Sequence, residues 1–445
     1  MRELLVASIA ASFQAGYLHH AGRLLNWMLI AVVLIAAIIG ILYVTRGTAV
    51  RRVRGVGVDG TPVSPGENSF PLSVSLLTGS ALLPGNQVEL VLDGGVFPRL
   101  WADLRSAKTS ITVQMYYALS GQVTETLATI LIERALAGVE VYVIYDAFGA
   151  KALGGAYAER LRKAGVQIVS FRPLRFRNLW IIQNRAHIRG VVIDADIGWT
   201  GGFGFDDKWL GESRAGTGWR DTSVRIRGPA VLQLLEAVAA AWAEATGDLF
   251  TGRLAMPSCD GGVAAAGLLY TAPTLGSTPA ERYLALSIAG AQRTLFITNA
   301  YFAPDKNFVG LLVDAARRGV DVQLLVGGPS TDVRVARLAA HARYDELLAA
   351  GVHIYEYEPT TLHAKTFVVD GVWSSVGTMN FDNRSLALND EVTLMVLDSK
   401  FGQQLEAIFH DDLSRATAVD PAEFGGRPII RHLKEWGANQ ITRLL

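Results

Sequence analysis

The chain has a single cysteine, Cys259, among 445 residues. That scarcity excludes an internal disulfide framework and any zinc site built on cysteines. With no strong local signature around it, Cys259 reads as a lone buried thiol rather than a nucleophile. A surplus of charge is missing as well: 41 Lys and Arg stand against 41 Asp and Glu, for a formal net charge of zero. A polyanion binder held by its overall field is excluded, so no nucleic-acid partner is expected, although a local basic patch stays open. Charged residues of either sign make up only 18% of the chain, and mean hydropathy is +0.27. That is apolar for a freely soluble protein and natural for one that sits partly in or on lipid.

Charge is absent altogether from Trp27 to Val44, WMLIAVVLIAAIIGILYV, a run of 18 residues. At helical rise it is about 27 Å long, close to the thickness of a bilayer's hydrocarbon core. A cleaved signal peptide fits poorly, because the run starts late, outlasts the usual apolar region of such peptides and is followed by TRGTAVRRVRG without a small-residue cleavage site. Arg2 and Arg23 precede the run, whereas Arg46, Arg51, Arg52 and Arg54 follow it. The positive-inside bias therefore puts the body in the cytoplasm, at the inner membrane of a bacterial-type cell. The earlier stretch LLVASIAASFQAGYL, broken by Gln14, reads as an interfacial or juxtamembrane helix, with a second, weak span as the alternative. The organisation expected is a juxtamembrane segment (1–26), a transmembrane helix (27–44), a Gly-, Pro- and Ser-rich linker (45–84) and two lobes (85–255 and 256–445).

The two lobes follow from an internal repeat. ATILIERALAGVEVYVIYDAFGA and VGLLVDAARRGVDVQLLVGGPST both read as an amphipathic helix, a glycine cap and a β-branched strand, pairing Gly138 with Gly319. A second helix-Gly-strand unit follows in each half, around Gly165 and Gly351. Alternating signals of this kind predict an α/β fold, two similar lobes each with a mostly parallel sheet flanked by helices.

Chemistry recurs at the same place in each repeat. His187-Ile188-Arg189 is followed by Asp194, and His363-Ala364-Lys365 by Asp370: a histidine, a cation two positions on and an aspartate seven positions on. Of the eight histidines only these two meet both conditions. Each block runs into an apolar strand and then a small-residue turn, Gly201-Gly202-Phe203-Gly204 or Gly377-Thr378-Met379-Asn380. In a strand, residues two apart share a face, so each histidine and its cation point into one cleft.

These blocks resemble the HxKxxxxD motifs of the phospholipase D superfamily, and the text around them resembles bacterial cardiolipin synthases. The likeness runs from about Asn86 to Leu445, through DGGVFPRLW, VQMYYA, GGFGFDDKWLG, GWRDTSVRIRGPAV, NAYFAPD and LHAKTFVVDGVWSSVGTMNFDNRSLALNDE. The resemblance implies two lobes closing on one active site, with no cofactor and no metal. It implies His187 as nucleophile, giving a covalent phosphohistidine, and His363 as general acid and later base. One imidazole has to be neutral and the other protonated, so their environments are expected to separate their pKa values. Arg189 and Lys365 would hold the non-bridging oxygens. A carboxylate would fix each tautomer, Asp221 for His187 and Glu391 for His363. Gly201, Gly202, Thr378 and Asn380 are the expected substrate-binding turn residues. Asp194 and Asp370, counted with the catalytic set, are expected to tie down the motif's own backbone or pair with a cation.

The first motif departs from the family pattern in having Arg189 for Lys and Gly204 for Asn; the second keeps Lys365 and Asn380, with Thr378 in place of Ser. Loss of the Asn amide removes a phosphate donor worth about 1 to 3 kcal/mol, so a weakened first half is expected. The function implied is transfer of a phosphatidyl group between phospholipids, from phosphatidylglycerol to give cardiolipin and glycerol. Phosphodiester hydrolysis, or a noncatalytic lipid-binding role, is the alternative. Two further stretches keep two readings each. Phe171 to Trp180, FRPLRFRNLW, is a lipid-contacting loop or a solvated basic connection. The final IIRHLKEWGANQITRLL packs on the body or lies on an interface.

Overall fold

The computed structural model describes residues 23, 25–43, 46–55, 60–174, 183–249, 261–274 and 276–441, besides Met1. Cys259, the FRPLRFRNLW stretch beyond Leu174 and almost all of segment 1–26 lie outside the described residues. The chain forms two units, Met1–Gly47 and Thr48–Leu445. In the first, helix α1 (Leu25–Tyr43) runs for 19 residues at a mean hydropathy of 2.7, with none of it buried. Length and composition make it a candidate membrane span.

The second unit opens where a linker is expected, and that expectation is corrected. Thr48 donates through both its N–H and its hydroxyl to Asp305, and the Ala49 N–H donates to Glu281. Helix α2 (Phe70–Thr78) follows, with Phe70 and Val74 buried in the core of the second lobe. Apolar residues four apart on one short helix explain why a Gly- and Pro-rich stretch docks rather than hangs free.

The first lobe contains β1 (Leu83–Leu92), α3 (Val96–Ser106), β2 (Ser110–Met115), α4 (Gln122–Leu136), β3 (Glu140–Asp146), α5 (Gly155–Lys163), β4 (Gln167–Phe171), β5 (Arg189–Ile193), β6 (Ile197–Gly201), β7 (Thr222–Arg227) and α6 (Ala230–Thr246). The second repeats it with β8 (Ala264–Thr271), α7 (Pro279–Gly290), β9 (Thr294–Asn299), α8 (Lys306–Arg317), β10 (Asp321–Gly327), α9 (Arg334–Ala349), β11 (His353–Tyr357), β12 (Lys365–Val369), β13 (Trp373–Gly377), β14 (Glu391–Leu397) and α10 (Ser399–Leu413). It then adds β15 (Ala416–Ala418), α11 (Pro421–Gly425) and α12 (Ile429–Ile441). The repeat glycines Gly138, Gly165, Gly319 and Gly351 all take positive φ, between 89° and 93°, as helix-ending caps do.

Among the described residues the strands join one 15-stranded sheet in the order β15-β11-β10-β9-β12-β13-β14-β8-β1-β7-β6-β5-β2-β3-β4. Read outward from the β1–β8 pair, the two halves have the same order. The α/β lobes are as expected, but the sheet is not mostly parallel. Only β2-β3-β4 and β9-β10-β11 run parallel; the remaining pairings are antiparallel. Helix-Gly-strand units make parallel crossovers, whereas β5 and β12, the strands that follow the histidines, are joined to β6 and β13 by tight turns at Asp194 and Asp370, and a tight turn permits only antiparallel neighbours. A shared core seals the halves, with Ile188, Val224 and Leu234 packed among Leu268, Val368 and Leu394.

Candidate active site

His187 and His363 each stand two residues before a strand, β5 and β12 respectively, and both line one cavity of about 580 Å³ together with Arg189 and Asn380. Both imidazoles are almost wholly buried. The sheet brings the two motifs together, and it also exchanges their partners. His187 Nδ1 lies 2.9 Å from both Glu391 oxygens, and His363 Nδ1 lies 3.3 Å from Asp221 Oδ2. The expected pairing within each half is therefore corrected: each histidine is held by the carboxylate of the other lobe.

The cause is a pair of parallel bridges across the lobe boundary, Ala186 with Asp390 and Arg220 with Leu362. The Asp390 N–H donates to the Arg185 carbonyl at 2.9 Å, and the His363 N–H to the Arg220 carbonyl at 2.7 Å. Each bridge lays one lobe's histidine segment beside the other lobe's carboxylate. Arg220, buried against Asp412 at 2.7 Å and Asp93 at 3.5 Å, fixes the second of them.

The carboxylates are in turn aimed by different donors. Thr378 Oγ1 donates to Glu391 at 2.5 Å. At the equivalent position Gly202 leaves room instead: a Cβ there would lie 2.2 Å from Asp221 Oδ1 and 2.7 Å from the His363 carbonyl. Asp221 takes its hydrogen bond from Trp209 Nε1, at 2.7 Å. The same indole occupies the space beside Gly204, where a Cβ would stand 3.0 Å from the ring. A tryptophan thus fills the space at Gly204, where the family has Asn, and does for Asp221 what Thr378 does for Glu391. Gly201, at φ 149° with Ser223 Cα only 2.6 Å from a hypothetical Cβ, serves close strand packing. Of the four expected substrate-binding residues, then, Asn380 lines the cavity, while Gly201, Gly202 and Thr378 shape or orient what surrounds it.

Asp194 and Asp370 do not face the cavity. Each takes φ 54° in its turn and accepts from backbone: Asp194 from Lys108, Thr109 and Ser110, Asp370 from Gln292, Arg293 and Thr294. They clamp the lead-in to β2 and β9, neighbouring backbone rather than the motif's own, and their place in the catalytic set is corrected to a structural one.

Electrostatics in the cavity are dominated by buried cations. Burial, and then the charges of Arg189 and Lys365, hold His187 well below its usual 6.5; burial, Lys365 and Arg189 do the same for His363. The expected separation of the two imidazoles is thus not built into the site, where both are pushed toward the neutral form. Burial raises Glu391 to about 8 and Asp221 to about 6, and lowers Lys365 to about 7. Arg189 is buried with Nε and Nη1 unpartnered among the described residues, as is the Asn380 side-chain oxygen. A buried guanidinium with unused donors is suited to an anion.

Several cavity residues escaped the sequence reading. Lys208 donates to the Tyr117 hydroxyl at 2.9 Å, and its ammonium lies 3.9 Å from the Trp219 ring and 4.0 Å from the Tyr117 ring. Arg384 also lines the cavity. The two cations fall seven residues after Gly201 and Gly377 respectively, so extending the repeat comparison past the turns would have found them.

Known proteins resemble this chain in sequence and in fold. The family model described as "Cardiolipin synthase, PLD-like domain" matches residues 100–239 and 284–413. Among curated relatives, cardiolipin synthase A of Pseudomonas putida is 34% identical over 367 residues, covering 82% of this chain and 76% of the relative. Cardiolipin synthase A of Pseudomonas aeruginosa is 33% identical, covering 83% and 74%. Among solved structures, phosphatidylserine synthase of Haemophilus influenzae superposes with a TM-score of 0.63 at 15% identity, covering 81% of this chain and 95% of that one. Polyphosphate kinase of Porphyromonas gingivalis reaches 0.51 at 15% identity, covering 80% and 54%.

Proposed function

The chain belongs to the phospholipase D superfamily, in its cardiolipin synthase family, and from that premise we propose a membrane-bound phosphatidyltransferase that converts phosphatidylglycerol to cardiolipin and glycerol. The observation that carries this reading is the pair of cross-held imidazoles facing one cavity in which Arg189 has unused donors. With Nδ1 of each ring turned to a carboxylate, Nε2 is left for chemistry.

In the proposed first step His187 Nε2 attacks phosphorus. A P–N bond forms, the P–O bond to glycerol breaks, and the leaving oxygen takes a proton from His363. The cations that depress His363 are the ones a phosphodiester anion would offset. Substrate binding thereby lets His363 take up the proton that the leaving group needs. In the second step the acceptor hydroxyl gives its proton to His363 while its oxygen displaces His187. Arg189 and Lys365 hold the non-bridging oxygens through both steps. Domain limits follow the two repeats, 85–255 and 256–445. Helix α1 anchors the body, and the arginines after it place that body on the cytoplasmic side of the inner membrane.

The test is product analysis of the full chain in phosphatidylglycerol vesicles. Cardiolipin and glycerol in equal amounts are the expected products, lost in His187→Ala and His363→Ala. Phosphatidic acid without cardiolipin would make the protein a hydrolase instead, and retained activity in both variants would rule out this chemistry.

A further inference from the structure

Helix α12 is inverted relative to an ordinary surface helix: its polar side faces the body. Glu435 is buried, accepting from Arg427 at 3.0 Å and from Arg431 at 3.2 Å, with His341 of α9 at 3.5 Å beneath it. Ala438 is buried on the same side. The outward face carries Ile429, Ile430, Leu433 and Trp436, each at least 62% exposed. On a 3.6-residue turn Ile429, Leu433 and Trp436 fall along one line with Ile430 beside it, while His432 and Lys434 flank the line on either side.

We propose that this stripe is a second membrane contact, bedding into the interface of a phospholipid bilayer and setting the mouth of the active-site cavity at the lipid surface. Three features favour a bilayer as the occupant. The stripe has an interfacial composition, apolar with a tryptophan and with the Lys434 cation on one flank, suited to phosphate headgroups. The same chain carries α1, a candidate span that would keep the body at high local concentration near lipid. The register of docking also leads to the site. Arg427 pairs with Asp345 and Glu435 with His341, so α12 runs antiparallel to α9, toward the end at which Val333 and Ala336 line the cavity. The proposal rests on reading that cavity as a lipid site, and its test does not depend on turnover.

The test uses the full chain carrying Cys259→Ser, with a nitroxide on Leu433→Cys, reconstituted in vesicles of phosphatidylglycerol and phosphatidylcholine. Power saturation compares collision with oxygen and with a water-soluble nickel chelate. The same label on Glu423→Cys, in exposed α11, serves as the aqueous reference, and Trp436→Cys is the second site should the first variant fold poorly. Oxygen accessibility exceeding nickel accessibility several-fold at the stripe, with the reverse at position 423, is the expected result. Nickel accessibility equal to that at 423 would place the stripe in water. Shielding from both reagents would mean that protein, a second copy or another segment, covers it. Either outcome overturns the proposal. Absence of cardiolipin synthesis beside an immersed label would overturn the proposed reaction and leave the membrane contact standing.

Discussion

Thr378 shows how much a single hydroxyl is asked to do. It is the donor that aims Glu391 at His187, and truncating it leaves a buried carboxylate oxygen short of a partner. Thr378→Ala is expected to lower kcat/KM about tenfold, the equivalent of a hydrogen bond worth roughly 1.4 kcal/mol, while Thr378→Ser keeps the donor and most of the activity. Steady-state kinetics on vesicles separate the two. Lys365 is the residue where pH enters. Burial lowers it to about 7, so in the free enzyme its charge is full below that pH and is lost as pH rises through it. The kcat/KM profile should therefore fall on the alkaline side near neutrality, and Lys365→Arg, which stays charged, should move that limb to higher pH. An unmoved limb would assign the fall to another group. Both histidines and both cations were legible in sequence, since each motif is a local pattern repeated. The helper residues were not: Trp209 supplies from a different position the donor that Thr378 gives in the second half, and its effect exists only once Gly202 and Gly204 have made space for it.

Elements explain the exchange of carboxylates. The repeats could be aligned from helix-Gly-strand units, and the order of strands within each lobe follows from them together with the two hairpins. Which lobe's carboxylate meets which histidine depends on the bridges Ala186–Asp390 and Arg220–Leu362, contacts between segments 204 and 142 residues apart in the chain. No local pattern contains such a contact, so a pairing read within each repeat came out inverted. Energetic coupling is the test. Glu391→Gln alone is expected to reduce turnover by about 10³ to 10⁴, by analogy with removing a tautomer-fixing carboxylate. Combined with His187→Ala it should add nothing, whereas combined with a mild variant at Trp209 its effect should multiply. Coupling of Glu391 to His363 instead would restore the pairing within one half.

The whole molecule is two imperfect copies arranged so that neither is a site alone. One continuous sheet, one shared core and the buried Arg220–Asp412 pair hold the histidines against a single cavity. The imperfection of the first copy lies in its supports, Arg189 and Trp209, rather than in the position of His187. The proposed reaction makes the P–N bond on one histidine only. The most direct measurement is mass spectrometry of the His363→Ala protein after reaction with phosphatidyl-p-nitrophenol, whose leaving group departs without needing a proton. A phosphatidyl adduct on the peptide containing His187, absent from the His187→Ala protein, is the expected result; an adduct on His363 in the His187→Ala protein, or turnover of wild-type protein with no histidine adduct trapped in either variant, would contradict it.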